Sequence, residues 1–109
     1  MMENWDTDLS NLSWSDFLTY ELIDIREADE LVRTPLEGKP SQHVPLSQLT
    51  PNTLPFNHES KYLIFCAVGG RSSQLVDYLR EHGFNNVYNV VGGIHTIKDF
   101  LNEHQTKKT

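Results

Sequence analysis

The chain has 109 residues, 38% of them hydrophobic and 22% charged, with a formal net charge of −6; that length holds one domain around a single core. A mean hydropathy of −0.48 suits a folded soluble chain and not a disordered one, and the acidic balance, with no Lys or Arg stripe, argues against nucleic-acid binding. One cysteine excludes an internal disulfide framework and suits a reducing compartment.

Met1-Met-Glu-Asn-Trp-Asp6 lacks the basic and apolar regions of a signal peptide, and no apolar run approaches the roughly 18 residues of a membrane span, so a cytoplasmic location without membrane contact is expected. Residues 1–12 are polar, with isolated Trp5 and Leu9 and no period, and predict an extended or partly disordered arm. Ser13-Trp-Ser-Asp16 reads as a cap ahead of a short helix that buries Phe17 and Leu18, or as a plain turn. Leu22, Ile23 and Ile25 then make a compact apolar run, a buried strand. Asp24, Arg26 and Glu27 stand at its end, where α/β folds place functional loops, although Asp24 and Arg26 can also simply pair or cap the next turn.

Residues 28–33 predict one or two helical turns ended by Pro35. Pro35 to Leu46 is rich in breakers around a possible strand at 42–44, and 50–60 reads as a surface connection. Tyr62 to Phe65 is an apolar run without helical period, which predicts a strand buried on both faces of a parallel sheet. Cys66 ends it, Ala67-Val-Gly-Gly-Arg-Ser72 follows as a loop, and Leu75, Val76 and Leu79 mark one face of a helix that Gly83 closes.

The loop has a chemical use. Gly69 and Gly70 let successive amides turn inward as an anion-binding nest, with a helix N-terminus behind them. With Arg71 these dipoles stabilise a thiolate at Cys66, which a helix N-terminus and a cationic neighbour can bring from about 8.5 to roughly 3.5–7.5. The residues leave open a plain buried cysteine followed by a glycine turn, and they leave Ser72 and Ser73 as helix caps whose hydroxyls could also reach an anion. Residues 86–91 predict another strand closed by Gly92-Gly93. Ile94, Ile97, Phe100 and Leu101 predict a final helix, with 105–109 a polar tail. Runs of strand and helix in alternation predict an α/β fold, a mostly parallel central sheet with helices on both faces. The histidines at 43, 58, 82, 95 and 104 show no ligand spacing, so neither metal nor other cofactor is expected.

Cys66-Ala-Val-Gly-Gly-Arg-Ser72 resembles the active-site loop of the rhodanese-like sulfurtransferases. Leu22-Ile-Asp-Ile-Arg-Glu27 resembles that family's early strand, and Gly83-Phe-Asn-Asn-Val-Tyr-Asn-Val-Val-Gly-Gly-Ile94 its late strand and Gly-Gly segment. The resemblance covers about residues 13–101 and implies a rhodanese-like domain over 13–104, with the arm and the tail outside it. It also implies that Cys66 takes sulfur from thiosulfate or a persulfide donor, holds it as a persulfide and passes it to a thiol, a protein acceptor or cyanide. Ala67, Val68, Gly69, Gly70, Arg71 and Ser72 would bind the small anionic donor, and Arg26 is a further site candidate.

The chain departs from the family where relatives carry Gly-His-Ile-Pro-Gly-Ala. Here Pro35-Leu-Glu-Gly38 and Lys39-Pro-Ser41 stand, without the histidine, and Ile97 replaces a frequent tryptophan. His43-Val-Pro-Leu46 resembles the family's next piece, which leads into a short helix at 47–49. Two other functions remain: a binding module that keeps only the fold, and a phosphatase or arsenate reductase. Rhodanese-fold phosphatases resemble the chain but place five residues between cysteine and arginine, where this loop has four, Ala67 to Gly70.

Overall fold

A computed structural model describes residues 5–37 and 40–105. The first four residues of the expected arm, Gly38-Lys39, and 106–109 of the expected tail lie outside it. The chain runs β1 (Asp6–Thr7), a 3-10 turn (Leu9–Asn11), α1 (Trp14–Phe17), β2 (Glu21–Asp24), α2 (Ala28–Arg33), β3 (Ser41–His43) and a second 3-10 turn (Leu46–Gln48). It then continues through β4 (Tyr62–Phe65), α3 (Gly70–Glu81), β5 (Val87–Val90) and α4 (Gly93–Gln105). The five strands form one sheet in the order β1-β5-β4-β2-β3, and every pairing is parallel.

Strand alternation divides the core in two. Leu22, Leu63, Phe65 and Val90 pack on one face with Phe17 and with Ile94, Ile97, Phe100 and Leu101 of α4. Ile23, Tyr62, Ile64 and Val87 point to the other face, against Leu75, Val76 and Leu79 of α3. Helices on both faces are the reason β4 reads as an unbroken apolar run, since neither set of its side chains meets water. Cys66, two residues beyond Ile64, falls by the same alternation on the α3 face.

Four expectations are corrected. The described part of the arm belongs to the fold: β1 pairs with β5, Asn89 and Val91 donate their N–H groups to the Trp5 and Thr7 carbonyls, and Leu9 is buried against α4. The short polar segment satisfies its backbone on the sheet edge, so it needs no hydrophobic period of its own. Ser13 does cap α1, accepting from the Asp16 N–H, yet only Phe17 is buried and Leu18 is 48% exposed, because the helix ends after one turn. The short strand lies at 41–43 and the following turn at 46–48, one residue earlier than read. The 50–60 connection is not wholly superficial: Phe56 is buried edge-on to Tyr62 at 5.2 Å.

Among the described residues no helix is long and apolar enough to cross a membrane. The place of residue 9 in the core is testable. Leu9→Ala should lower the unfolding free energy by about 2–5 kcal/mol in urea titration, the usual cost of a buried Leu-to-Ala truncation, whereas a residue in a free arm would leave it unchanged.

Candidate active site

Cys66 follows the last residue of β4, at the C-terminal edge of the sheet, and is 1% exposed. Gly69, with φ +121°, is the N-cap of α3 and supplies no side-chain cap. An L side chain rarely adopts that backbone angle, which explains the glycine. The Gly69 N–H donates to Sγ at 3.2 Å and the Ser72 N–H at 3.4 Å. Ser72 is the third residue of the helix, the position whose amide a cap side chain normally takes. The sulfur of Cys66 occupies that acceptor place, so the expectation that Ser72 or Ser73 caps α3 is corrected: the helix starts earlier and Ser72 lies inside its first turn.

Ser72 is fully buried and has another use. Its hydroxyl donates to Asn89 Oδ1 at 2.5 Å and stands 3.4 Å from Sγ, so the sulfur, once ionised, competes for that proton. Asn89 in turn donates from Nδ2 to Asp6 Oδ1 at 3.0 Å, which fixes the way its amide faces. The opposite wall is Gly93, with φ +66°. A Cβ there would lie 2.5 Å from the carbonyl oxygens of Cys66 and Ala67, and the neighbouring Ile94 N–H donates to the Cys66 carbonyl at 3.0 Å. Ala67 is half-buried, Val68 is 78% exposed at the loop tip, and Gly70 is exposed.

Arg71 does not hang free over the loop. Its two terminal nitrogens donate to the two carboxylate oxygens of Glu30 at 2.8 Å each, a bidentate pair from α3 to α2. Arg26 is placed otherwise than expected of a site residue. It is 1% exposed and grips the Asp24 carboxylate through Nε and one terminal nitrogen, while the other donates to the Thr34 and Glu30 carbonyls. Arg26 therefore ties α2 to the end of β2, and α2 carries the carboxylate that holds Arg71. His43 Nε2 donates to the Arg26 carbonyl at 2.6 Å, bracing the same strand end from β3. Among the described residues no three His, Cys, Asp or Glu side chains converge where a metal ion could be held.

The charges follow from these contacts. Burial pushes the Cys66 thiol up, but the Ser72 hydroxyl and the amides of Ser72, Gly69 and Val68 outweigh it and bring the group below its ordinary 9.0. The Arg71 hydrogen bonds and the Glu27 N–H, which donates to Glu30 Oε1 at 2.9 Å, hold Glu30 down to about 2. Arg71 is held charged by Glu30 first and by the nearby Cys66 second.

Glu30, Asn89, Asp6 and Gly93 were missed from sequence. Asn89 alone left a signal, an amide interrupting the apolar residues of β5. Glu30 left none, since its partner lies 41 residues away.

A parallel α/β sheet that sets a cysteine, its pKa lowered, in a helix-backed loop of amides is an arrangement able to hold a thiolate. Residues 7–99 match the family model of the rhodanese-like domain, and the chain belongs to that family. It is 40% identical over 78 residues to a rhodanese-like/PpiC domain-containing protein of Arabidopsis thaliana, covering 68% of this chain and 25% of that protein. It is 37% identical to a tRNA sulfurtransferase of Psychromonas ingrahamii, covering 69% of this chain and 16% of the other. The chain thus spans a quarter or less of these two relatives. The crystal structure of a rhodanese-related protein of Thermoplasma volcanium superposes with a TM-score of 0.69 at 27% identity, over 91% of this chain and 92% of that one.

Two titrations test the site. The ultraviolet thiolate absorbance, with Cys66→Ser subtracted, should titrate below the ordinary 9.0, and Ser72→Ala should move the midpoint up. Glu30 is an acid whose folded value is depressed. Its contribution to stability is therefore complete above about pH 4.5 and is lost as the pH falls toward 2. Glu30→Gln should flatten that acid limb in pH-dependent thermal unfolding.

Proposed function

We propose that the chain transfers sulfane sulfur through a persulfide on Cys66. In the first half-reaction the Cys66 thiolate attacks the outer sulfur of thiosulfate or of a hydropersulfide. The bond between the donor's two sulfurs breaks and its electron pair leaves with sulfite or with the donor thiolate. In the second, an acceptor thiolate or cyanide attacks the outer sulfur of the Cys66 persulfide and regenerates the Cys66 thiolate. Neither half consumes an oxidant or a reductant from outside, and covalent storage of the sulfur predicts ping-pong kinetics.

The observation that carries this reading is the sulfur of Cys66 standing as the acceptor for the amides that open α3. These donors hold the Cys66 sulfur as a thiolate in place before it attacks the donor. Arg71, held in a bidentate pair with Glu30, lies close enough to the sulfur for the two charges to interact. The likeness to a tRNA sulfurtransferase supports the same chemistry.

Intact-protein mass after incubation with thiosulfate or with ethyl hydropersulfide, followed by removal of excess donor, tests it. The expected result is gain of one sulfur atom by the wild type from at least one donor, none by Cys66→Ser, and reversal by cyanide. A folded protein with a free thiol that gains no sulfur from either donor overturns the proposal and leaves a binding module on the same fold.

A further inference from the structure

The proposed reaction leaves open which donor the site takes, and the surroundings of Arg71 bear on this. An anionic donor approaching Cys66 meets a guanidinium already neutralised on its two terminal nitrogens by Glu30. Glu30 cannot readily swing aside: its Oε1 also accepts the Glu27 N–H, and its own backbone carbonyl receives Arg26. The two other arginines of the β2–α2 segment are likewise spent on carboxylates, Arg26 on Asp24 and Arg33 on Asp29. Taken together, the Cys66 thiolate, Arg71 and Glu30 carry one net negative charge, in a chain whose formal charge is −6.

We propose that Glu30 is a specificity-determining residue: by neutralising Arg71 it turns the site away from the dianion thiosulfate and toward hydropersulfides, which arrive neutral or with a single negative charge. This inference rests on the sulfur-transfer reading and adds to it the class of donor. The step is Cys66 thiolate plus R–S–SH giving the Cys66 hydropersulfide plus R–S⁻. A sulfur–sulfur bond forms at Cys66, the one within the donor breaks with its electron pair going to R–S⁻, and the proton stays on the transferred sulfur until solvent takes it. No dianion has to approach the thiolate, whereas attack on thiosulfate gathers three negative charges around one neutralised arginine.

The test compares kcat/KM for thiosulfate and for ethyl hydropersulfide, with one thiol acceptor, in the wild type, Glu30→Gln and Glu30→Asp. The wild type should favour the hydropersulfide. Glu30→Gln keeps the shape of the side chain and removes its charge, and it should shift the ratio toward thiosulfate by about tenfold, which corresponds to about 1.4 kcal/mol of relieved repulsion. Glu30→Asp keeps the charge and should retain the wild-type ratio even where both rates fall. Added salt should raise the wild-type thiosulfate rate more than the hydropersulfide rate, because screening relieves a repulsion between like charges. That measurement needs no variant and stands if Glu30→Gln does not fold.

A wild type that uses thiosulfate at least as well as the hydropersulfide overturns the inference. So does a Glu30→Gln enzyme whose two rates fall together with the ratio unchanged, which would mark Glu30 as a structural support only. In both cases sulfur still loads onto Cys66 and the proposed reaction survives. Failure of both donors to load Cys66 removes the reaction and this inference together.

Discussion

The N-terminus of α3 needs an acceptor, and a cysteine sulfur provides it. The first amides of a helix have no partner within the helix, and an oxygen side chain at the cap usually takes one of them. Here the cap is Gly69, which has no side chain, and the amides of Gly69 and Ser72 turn to Cys66. Much around the sulfur follows from that substitution. The loop must curl tightly enough to bring the end of β4 under the start of α3, which demands the positive φ of Gly69. The curl pushes the Cys66 and Ala67 carbonyls against the start of α4, where only a glycine leaves room, and Gly93 is there. The thiol stays buried yet below its ordinary pKa, because the amides offset the desolvation that would otherwise raise it.

A second chain of contacts positions the charge beside that sulfur. Asp24 at the end of β2 grips the buried Arg26, Arg26 reaches the carbonyls of α2, and α2 presents Glu30 to Arg71 on α3. Each link is a hydrogen bond in which at least one partner is charged, so the elements around the loop are joined by directional contacts as well as by apolar packing. The buried Arg26–Asp24 pair is costly to desolvate, and breaking it from one side would strand a charge in the interior. Its role here is to set the position of α2, and through Glu30 the orientation of Arg71.

How much of this was legible depends on whether a residue's partners are near in sequence. β4 was read to the residue, because an apolar run between a polar loop and a glycine pair has few other ways to bury itself. The faces of α3 and α4 followed from helical spacing, with Leu75, Val76, Leu79, Ile94, Ile97, Phe100 and Leu101 all buried. β1 was not legible: two polar residues, Asp6 and Thr7, become a strand only because β5 leaves an open edge beside them. Leu18, one position from the buried Phe17, could not be separated from it by pattern, since a one-turn helix gives the period no length in which to show.

At the site, the order of residues alone determined where the cysteine stands. A strand, a cysteine, two glycines and an amphipathic helix in succession bring amides to a sulfur, because each neighbour in that series is a neighbour along the chain. Only the tertiary structure decided what surrounds the sulfur. Glu30 meets Arg71 across 41 residues, and Asn89 meets Ser72 across 17. Gly93 meets Cys66 and Ala67 because β4 and β5 lie side by side in the sheet. Those pairings exist because parallel strands must cross over through helices. The crossovers gather the C-terminal ends of distant strands at one edge, and no local pattern of charge or hydrophobicity records which side chains will meet there.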